Sequence, residues 1–144
     1  MVITPHMLVG AAIGAQASNF WSVFLLGTVS HYLLDALPHW DYLYKVKINN
    51  PNHIMKIGLD FILGSVLILI LSWSSPVKIL ILIGAIAALL PDIAEVLYSN
   101  FKLACLKWSS EFHRKIHNSK RISFWPGLPL MLLVSLTAVC FLSG

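Results

Sequence analysis

The chain alternates between long apolar runs and short polar segments, a pattern typical of multi-pass membrane proteins. A spanning helix needs about 20 mostly apolar residues, and shorter ones are tolerated where the bilayer thins. Four runs meet this requirement and predict long helices at residues 20–37, 57–73, 77–97 and 125–142. The polar segments between them predict an up-and-down bundle.

The apolar segment at residues 7–17 is too short to span a bilayer, since a helix of this length measures about 16 Å. Gly10 and Gly14 give it a small-xxx-small pattern, which lets helix backbones approach closely in lipid. Residues 17–19 have the composition of a turn. The segment is therefore either a re-entrant helix paired with the next one, or the first part of one bent helix over residues 5–37, about 50 Å long.

Composition supports the membrane assignment. Hydrophobic residues make up 58% of the 144 residues and charged residues 11%, whereas a soluble globular domain has roughly 25% charged residues. So few charges exclude a soluble monomer. Cys105 and Cys140 lie in different segments and indicate neither a disulfide framework nor a cysteine metal site. We predict one all-α domain over residues 1–144, an integral membrane bundle of four long helices plus the short N-terminal helix.

Basic residues fall almost entirely on one side of the predicted bundle. Nine of the ten Lys and Arg residues lie in the segments 38–56 and 98–123, and only Lys78 lies near the turn at residues 72–76. The positive-inside rule places the basic side in the cytoplasm, so we predict a multi-pass protein of the cytoplasmic (inner) membrane. This topology accounts for the net charge of +4, and we expect no nucleic-acid partner because no recognition motif is present.

The acids and histidines concentrate at the same helix ends as the basic segments. The acids are Asp35, Asp41, Asp60, Asp92, Glu95 and Glu111, and the histidines are His6, His31, His39, His53, His113 and His117. Ionisable groups at membrane depth are costly and usually functional, and Asp60 and Asp92 lie within apolar runs. Because a buried charge must be paired, neutralised or bound to metal, this convergence predicts a site at the cytoplasmic face.

Helical spacing indicates that this site binds metal. His31 and Asp35 are four residues apart, as are His113 and His117, so each pair projects from one helix face. Imidazole with carboxylate is a ligand set for Zn, Mn or Fe. The predicted ligands are His6, His31, Asp35, His39, Asp92, His113 and His117, with Asp41 and Asp60 either binding metal or orienting the imidazoles. This set exceeds the needs of one tetrahedral ion, so we expect two or more divalent ions, with zinc favoured.

Each of these signals also has an ordinary structural interpretation. The spacing of His31 and Asp35 stabilises isolated helices, and Asp92 after Leu-Leu-Pro fits a helix cap. An HxxxH pair beside a basic segment is often a surface feature, and Glu111 fits a loop charge as well as a base. The prediction of a metal site would fail only if all of these interpretations held independently.

Four segments of the chain together resemble a known family. They are TPHMLVGAAIG, SHYLLDALPHWDY, LLPDIAE and HRKIHNS. They resemble the membrane-bound metal-dependent hydrolases, small inner-membrane proteins with an early His, an LPD motif, an HR..HS motif and an HxxxD motif. The resemblance spans nearly the whole chain and implies metal-site roles for the matching positions, which are His6, His31, Asp35, Asp92, His113 and His117. Two features depart from the family pattern: Ala94 stands where a second acid is expected, next to Glu95, and HxxxD precedes LPD. A weaker resemblance, of motif type only, is to zinc-dependent phospholipases C.

We therefore predict a membrane-embedded metal-dependent hydrolase that cleaves a phosphate ester of a phospholipid or polyprenyl phosphate at the cytoplasmic interface with metal-activated water. Glu95 or Glu111 is the predicted general acid or base. Basic residues near the HxxxH pair either hold the substrate phosphate or attract anionic headgroups; they are Arg114, Lys115, Lys120 and Arg121.

The alternatives are a divalent-metal or proton transporter and a non-catalytic assembly protein stabilised by metal. The expected partners are the bilayer and a phosphorylated lipid, and the oligomeric state stays open.

Overall fold

The computed structural model describes residues 2–43, 45–117 and 122–143, and regular structure within them is helical. In chain order the elements are α1 (Ile3–Gln16), α2 (Phe20–Asp35), α3 (Pro51–Leu71), α4 (Lys78–Ala87), α5 (Leu90–Phe101), a 3₁₀ turn (Ala104–Leu106), α6 (Lys107–His117) and α7 (Phe124–Ser143). Three helices are long and apolar enough to cross a membrane: α3, the combined α4–α5 segment Lys78–Phe101, and α7. The all-α prediction is confirmed.

The predicted set of four long spanning helices is confirmed only in part. α2 covers 16 residues, about 24 Å, and falls short of the roughly 20 residues of a full span. Residues 17–19 separate it from α1. Ala17 and Asn19 have extended backbones, and the Asn19 side chain accepts a hydrogen bond from the main-chain N–H of Ser22 over 3.0 Å. The bent-helix alternative over residues 5–37 is therefore wrong, and α1 and α2 pack together as a helical hairpin.

The third predicted helix, residues 77–97, is broken in the middle at Pro91. A proline lacks an N–H, and its ring clashes with the carbonyl four residues earlier, which here belongs to Ala87. α4 accordingly ends at Ala87, and α5 begins after a short turn. The carbonyl of Ala88, in that turn, instead accepts a hydrogen bond from His31 Nδ1 of α2 over 2.7 Å. The break therefore creates an acceptor for a side chain of another helix.

The other two long helices differ from the prediction only at their ends. α3 begins at Pro51 rather than at residue 57, because the Asn50 side chain caps it by accepting a hydrogen bond from the N–H of Asn52 over 3.0 Å. Proline is also favoured in the first helical turn. α7 (Phe124–Ser143) matches the predicted helix closely at both ends.

α1 lies at the centre of the bundle, where it packs against α2, α3, α4 and α7. Glycines allow its backbone to approach that of α4. A Cβ placed on Gly84 would lie 2.0 Å from the carbonyl oxygen of Gly10, and one placed on Gly14 would lie 2.2 Å from the carbonyl oxygen of Leu80. The predicted small-xxx-small contact is therefore made with α4.

Large apolar side chains cover the outer surfaces of α3 and α7. Ile62, Ile70 and Leu133 are each more than half exposed. Contiguous apolar surface of this kind is disfavoured in water, whereas lipid chains solvate it. The outer surface thus supports the membrane assignment as strongly as the helix lengths do.

Candidate metal centre

Four helices and the loop after α2 bring histidines and carboxylates together at one end of the bundle. α2 ends at Asp35, α1 begins near His6, and α5 begins near Asp92 directly after the Pro91 break. α6 packs on α2 and α5 and buries its own histidines there. These residues are termed the His/Asp cluster, and its members are His6, His31, Asp35, His39, Asp41, Asp92, His113 and His117.

Asp35 lies at the centre of the cluster and is fully buried. Its Oδ2 is 2.9 Å from Nε2 of His113 and 3.2 Å from Nε2 of His31. Its Oδ1 is 3.3 Å from Nε2 of His6. Imidazoles thus approach both oxygens of one carboxylate, so Asp35 could contribute a ligand atom to more than one cation site.

The ligand atoms fall into two groups that share Asp35. The first group contains His31, Asp35, Asp92 and His113, and the second contains Asp35, His39 and His117. Within each group the ligand atoms all lie within 4.8 Å of one another, so each group could hold a metal ion. Asp41 adjoins the second group, with its Oδ2 3.3 Å from Nε2 of His117.

Main-chain carbonyls orient two of the imidazoles. His31 Nδ1 donates to the Ala88 carbonyl over 2.7 Å, and His39 Nδ1 donates to the Leu37 carbonyl over 2.7 Å. A neutral ring that donates through Nδ1 carries its lone pair on Nε2, and both Nε2 atoms face Asp35. Burial lowers the pKa of His39 to about 4. Its ring is therefore neutral at physiological pH, as a metal ligand must be.

Buried ring nitrogens that make no hydrogen bond support a fit to a cation. Among the described residues they include Nδ1 of His6 and Nε2 of His39, while Nε2 of His6 lies 3.3 Å from the Asp35 carboxylate. The ring of His6 stacks on that of His31 with centroids 4.1 Å apart, a contact that two charged imidazolium rings would disfavour. Because an unpaired buried polar atom is costly, a bound cation would stabilise this arrangement. Neutral imidazoles around carboxylates are the donor set of Zn, Mn or Fe.

α6 supplies two cluster histidines from one face. Ser110, His113 and His117 recur at helical spacing and are buried. The helical spacing predicted for His113 and His117 is confirmed, although α6 itself is not among the predicted helices. Glu111 lies on the opposite face of α6, about half exposed, with Oε1 3.9 Å from Lys107 Nζ. The structure therefore places this candidate acid or base outside the cluster.

Glu95 lies one helical turn after Asp92 on α5 and joins α5 to α6. Its Oε1 accepts a hydrogen bond from the Ser99 hydroxyl over 2.7 Å, and its Oε2 accepts one from the Ser110 hydroxyl. The same Oε2 is 3.8 Å from Nε of Arg114. Of the two predicted acid or base residues, Glu95 is thus the one near the cluster.

The predicted phosphate-binding residues have different positions. Arg114 lies with its guanidinium over the Tyr98 ring, 5.7 Å from the centroid, and lines the same cavity as His113. Lys115 is exposed on α6. Arg121, together with Lys120, lies outside the described residues.

Asp60, predicted as a ligand or as a residue that orients imidazoles, contacts the N-terminus of α1 instead. Its carboxylate accepts hydrogen bonds from the main-chain N–H groups of Ile3 (2.6 Å) and Thr4 (3.2 Å) and from the hydroxyl of Tyr42 (3.0 Å). Burial raises the pKa of the Tyr42 hydroxyl, which keeps it protonated as the donor. A carboxylate here satisfies the unpaired N–H groups of the helix and complements its dipole. Asp60 thus holds α1, which carries His6, against α3 and the loop after α2.

Replacing Asp60 with alanine should destabilise the protein by about 2 kcal/mol, because the cap of α1 and the partner of Tyr42 are lost together. Thermal unfolding in detergent micelles measures this change. Tyr42→Phe is the matched control: it removes a single hydrogen bond and should cost about 1 kcal/mol. Equal unfolding temperatures for Asp60→Ala and the unmodified protein would show that the cap contributes nothing.

A cavity of about 420 Å³ adjoins the cluster, a feature that the sequence does not predict. The cluster residues Asp92, His113 and His117 line it, together with side chains of α3, α5 and the described part of the loop at residues 41–48. The only signal in the sequence was the apolar character of that loop, in which Leu43, Val46 and Ile48 alternate with polar residues. Their joint position depends on packing that no local pattern encodes.

No family model, curated protein or solved structure matches the chain. The resemblance to the membrane-bound metal-dependent hydrolases therefore stays a prediction. What the described residues establish is an all-helical membrane protein in which buried His and Asp side chains form two groups that could hold metal ions.

Proposed function

We propose that the protein is a membrane-embedded hydrolase that uses divalent metal to cleave a phosphate ester of a lipid. The observation that carries this proposal is the meeting of two ligand groups, joined through Asp35, with the end of a largely apolar cavity. A metal centre alone would suit many functions. A metal centre that opens into an apolar cavity between membrane helices suits chemistry on the polar part of an amphiphile.

The donor set supports a site for two divalent ions. Each group offers three or four nitrogen and oxygen ligands, which suits the tetrahedral preference of zinc and is also compatible with Mn or Fe. When bound, such a pair stabilises charge on the phosphoryl oxygens and lowers the pKa of water in the site. Asp35 would contribute to both sites, because its carboxylate belongs to both groups.

The chain's own residues position the substrate and transfer protons. Arg114 lines the cavity beside His113 and is held there by Glu95 and Tyr98; its guanidinium donates to phosphate oxygens. Glu95 is the carboxylate placed to accept and return a proton as water attacks. Glu111 has no part in this scheme because it faces away from the cavity.

Helix lengths support a position of the cluster near one membrane surface. α1 and α2 run between the cluster and the turn at residues 17–19 and measure about 21 and 24 Å, less than the roughly 30 Å of the hydrocarbon core. With that turn at one surface, the cluster lies within about 10 Å of the other, where lipid phosphates are within reach. The sequence segments 38–56 and 98–123, which contain four of the cluster residues, also hold nine of the ten Lys and Arg residues, so we propose that this face is cytoplasmic.

Metal-dependent turnover of lipid phosphates tests the proposal. Protein purified in detergent, stripped by a chelator and reloaded with Zn or Mn should release phosphate from phosphatidate or a polyprenyl phosphate only in the reloaded state. His31→Ala and His113→Ala should each lower kcat by about 100-fold or more, since loss even of a residue that orients a metal ligand costs 10- to 100-fold. Glu111→Gln, the matched control on the outer face of α6, should leave kcat unchanged. A metal-loaded protein that turns over no lipid phosphate would contradict hydrolysis and favour a non-catalytic metal centre.

A further inference from the structure

The cavity beside the His/Asp cluster has a mostly apolar lining. Its polar end is the part lined by the cluster residues Asp41, Asp92, His113 and His117, together with Glu95 and Arg114. Apolar side chains of α3, α5 and the described part of the loop at residues 41–48 make up most of the remaining lining, which also includes Lys45 and Ser99. Along α5 the lining extends from Asp92 to Ser99, which corresponds to about 10 Å of helix rise. This division of polar and apolar lining matches an amphiphile with its headgroup at the cluster.

The cavity opens between two membrane-spanning segments. α3 packs on α1, whereas α5 packs mainly on α6, so α3 and α5 stand apart and the cavity lies between them. Phe61 of α3 and Ile93 of α5 line it and are 46% and 44% exposed. Because α3 and the segment Lys78–Phe101 are both candidate spans, a mouth between them would face lipid rather than water in a membrane.

We propose that this cavity binds the hydrocarbon chain of the substrate. A lipid phosphate would enter laterally from the bilayer between α3 and α5, with one hydrocarbon chain in the cavity and the phosphate at the metal centre. This inference rests on the proposed function, since the polar end of the cavity is the site of hydrolysis. The class of substrate is then a phosphate ester that carries an apolar chain, and water-soluble phosphate esters are poor substrates because they leave the apolar lining without a partner.

Chain length should therefore control binding. Each methylene that enters an apolar cavity strengthens binding by about fourfold, and the gain stops when the cavity is filled. Across the series butyl, octyl and dodecyl phosphate, KM should fall with chain length and then level off. Binding governed by the bilayer alone would give no such plateau and no dependence on the cavity residues.

Filling the cavity gives a test that does not depend on catalysis. A dodecyl phosphate with a terminal diazirine, photolysed with the metal-loaded protein in nanodiscs, should label peptides from residues 43–48, 54–61 and 93–97. Val96→Trp narrows the α5 wall and should lower this labelling by about 15-fold, the effect of excluding about two methylenes. Leu63→Trp is the matched control, because Leu63 is exposed on α3 and does not line the cavity. Ile57→Trp, from the opposite wall, replaces Val96→Trp if that variant does not fold.

The outcomes separate this inference from the proposed function. Cavity labelling that Val96→Trp or Ile57→Trp removes and Leu63→Trp retains would support chain binding, whether or not the lipid is hydrolysed. Labelling confined to the outer faces of α3 and α7, or equal in all variants, would overturn it. In the catalytic assay, the cavity variants should raise KM for dodecyl phosphate about 15-fold and leave the metal content unchanged, whereas Leu63→Trp should leave both unchanged.

Discussion

Replacing Asp35 with asparagine should abolish hydrolysis and remove both metal ions. The amide keeps the shape of the side chain but loses the charge that both ligand groups share. Removing an outer residue that only orients a ligand costs metal affinity 10- to 100-fold, so the loss of a shared ligand should exceed 100-fold at each ion. Element analysis of the purified variant measures the metal content, and phosphate release from a lipid phosphate measures activity.

Asp92→Asn is the comparison that tests whether the loss of both ions in Asp35→Asn comes from the shared ligand. Asp92 belongs to the first ligand group alone, so this variant should keep one ion per chain, whereas Asp35→Asn keeps none. Glu111→Gln, which alters an acid outside the cluster, should keep both. If Asp35→Asn retained two ions, the two groups would not share a ligand and the proposed centre would be wrong. Size exclusion and circular dichroism show that each variant is folded.

Adding a methyl group at Gly84 should have the largest effect on stability. The new Cβ would lie 2.0 Å from the main-chain oxygen of Gly10, and neither backbone can move without separating α1 from α4. Overpacking of a buried contact costs typically 1–3 kcal/mol and sometimes more, and at a backbone-to-backbone contact we expect at least about 3 kcal/mol for Gly84→Ala. Thermal unfolding in detergent micelles measures the shift.

Gly58→Ala is the matched control for Gly84→Ala. A Cβ on Gly58 would meet nothing within 4 Å, and alanine is a better helix former than glycine by roughly 0.5–1 kcal/mol. This variant should therefore be unchanged or slightly more stable. If both variants unfolded at the same temperature, the close approach of α1 and α4 would not matter for stability.

The convergence of the histidines and acids could be predicted because it depends on local spacing and helix direction. His31 and Asp35 share a face through helical periodicity alone, and in an up-and-down bundle their helix end meets the one that carries Asp92. The break at Pro91 follows from the chemistry of proline and is predictable from the sequence. The spacing of His113 and His117 predicts a shared helix face, but not the extent of α6, because the signal of that helix lies in polar residues rather than in an apolar run.

The position of Asp60 could not be predicted in the same way. Its surroundings in an apolar run indicate a buried carboxylate that needs partners, and hydrogen-bond donors satisfy that need as well as metal does. The donors are Ile3, Thr4 and Tyr42, which lie far from Asp60 in sequence. The cavity could not be predicted from the sequence for the same reason, since its walls meet only after α3, α5 and the loop at residues 41–48 have packed.

The separation of the cluster residues along the chain has a consequence for biogenesis. Each ligand group needs a histidine from α6 as well as residues from α2 or the loop after it, so neither group is complete until most of the polypeptide has been synthesised and inserted. Cation loading should then be a late event in maturation. In a nascent chain that ends before α6, the imidazoles and acids that are buried in the complete protein would be exposed without a counter-ion. Membrane quality control could recognise such a chain as incompletely folded.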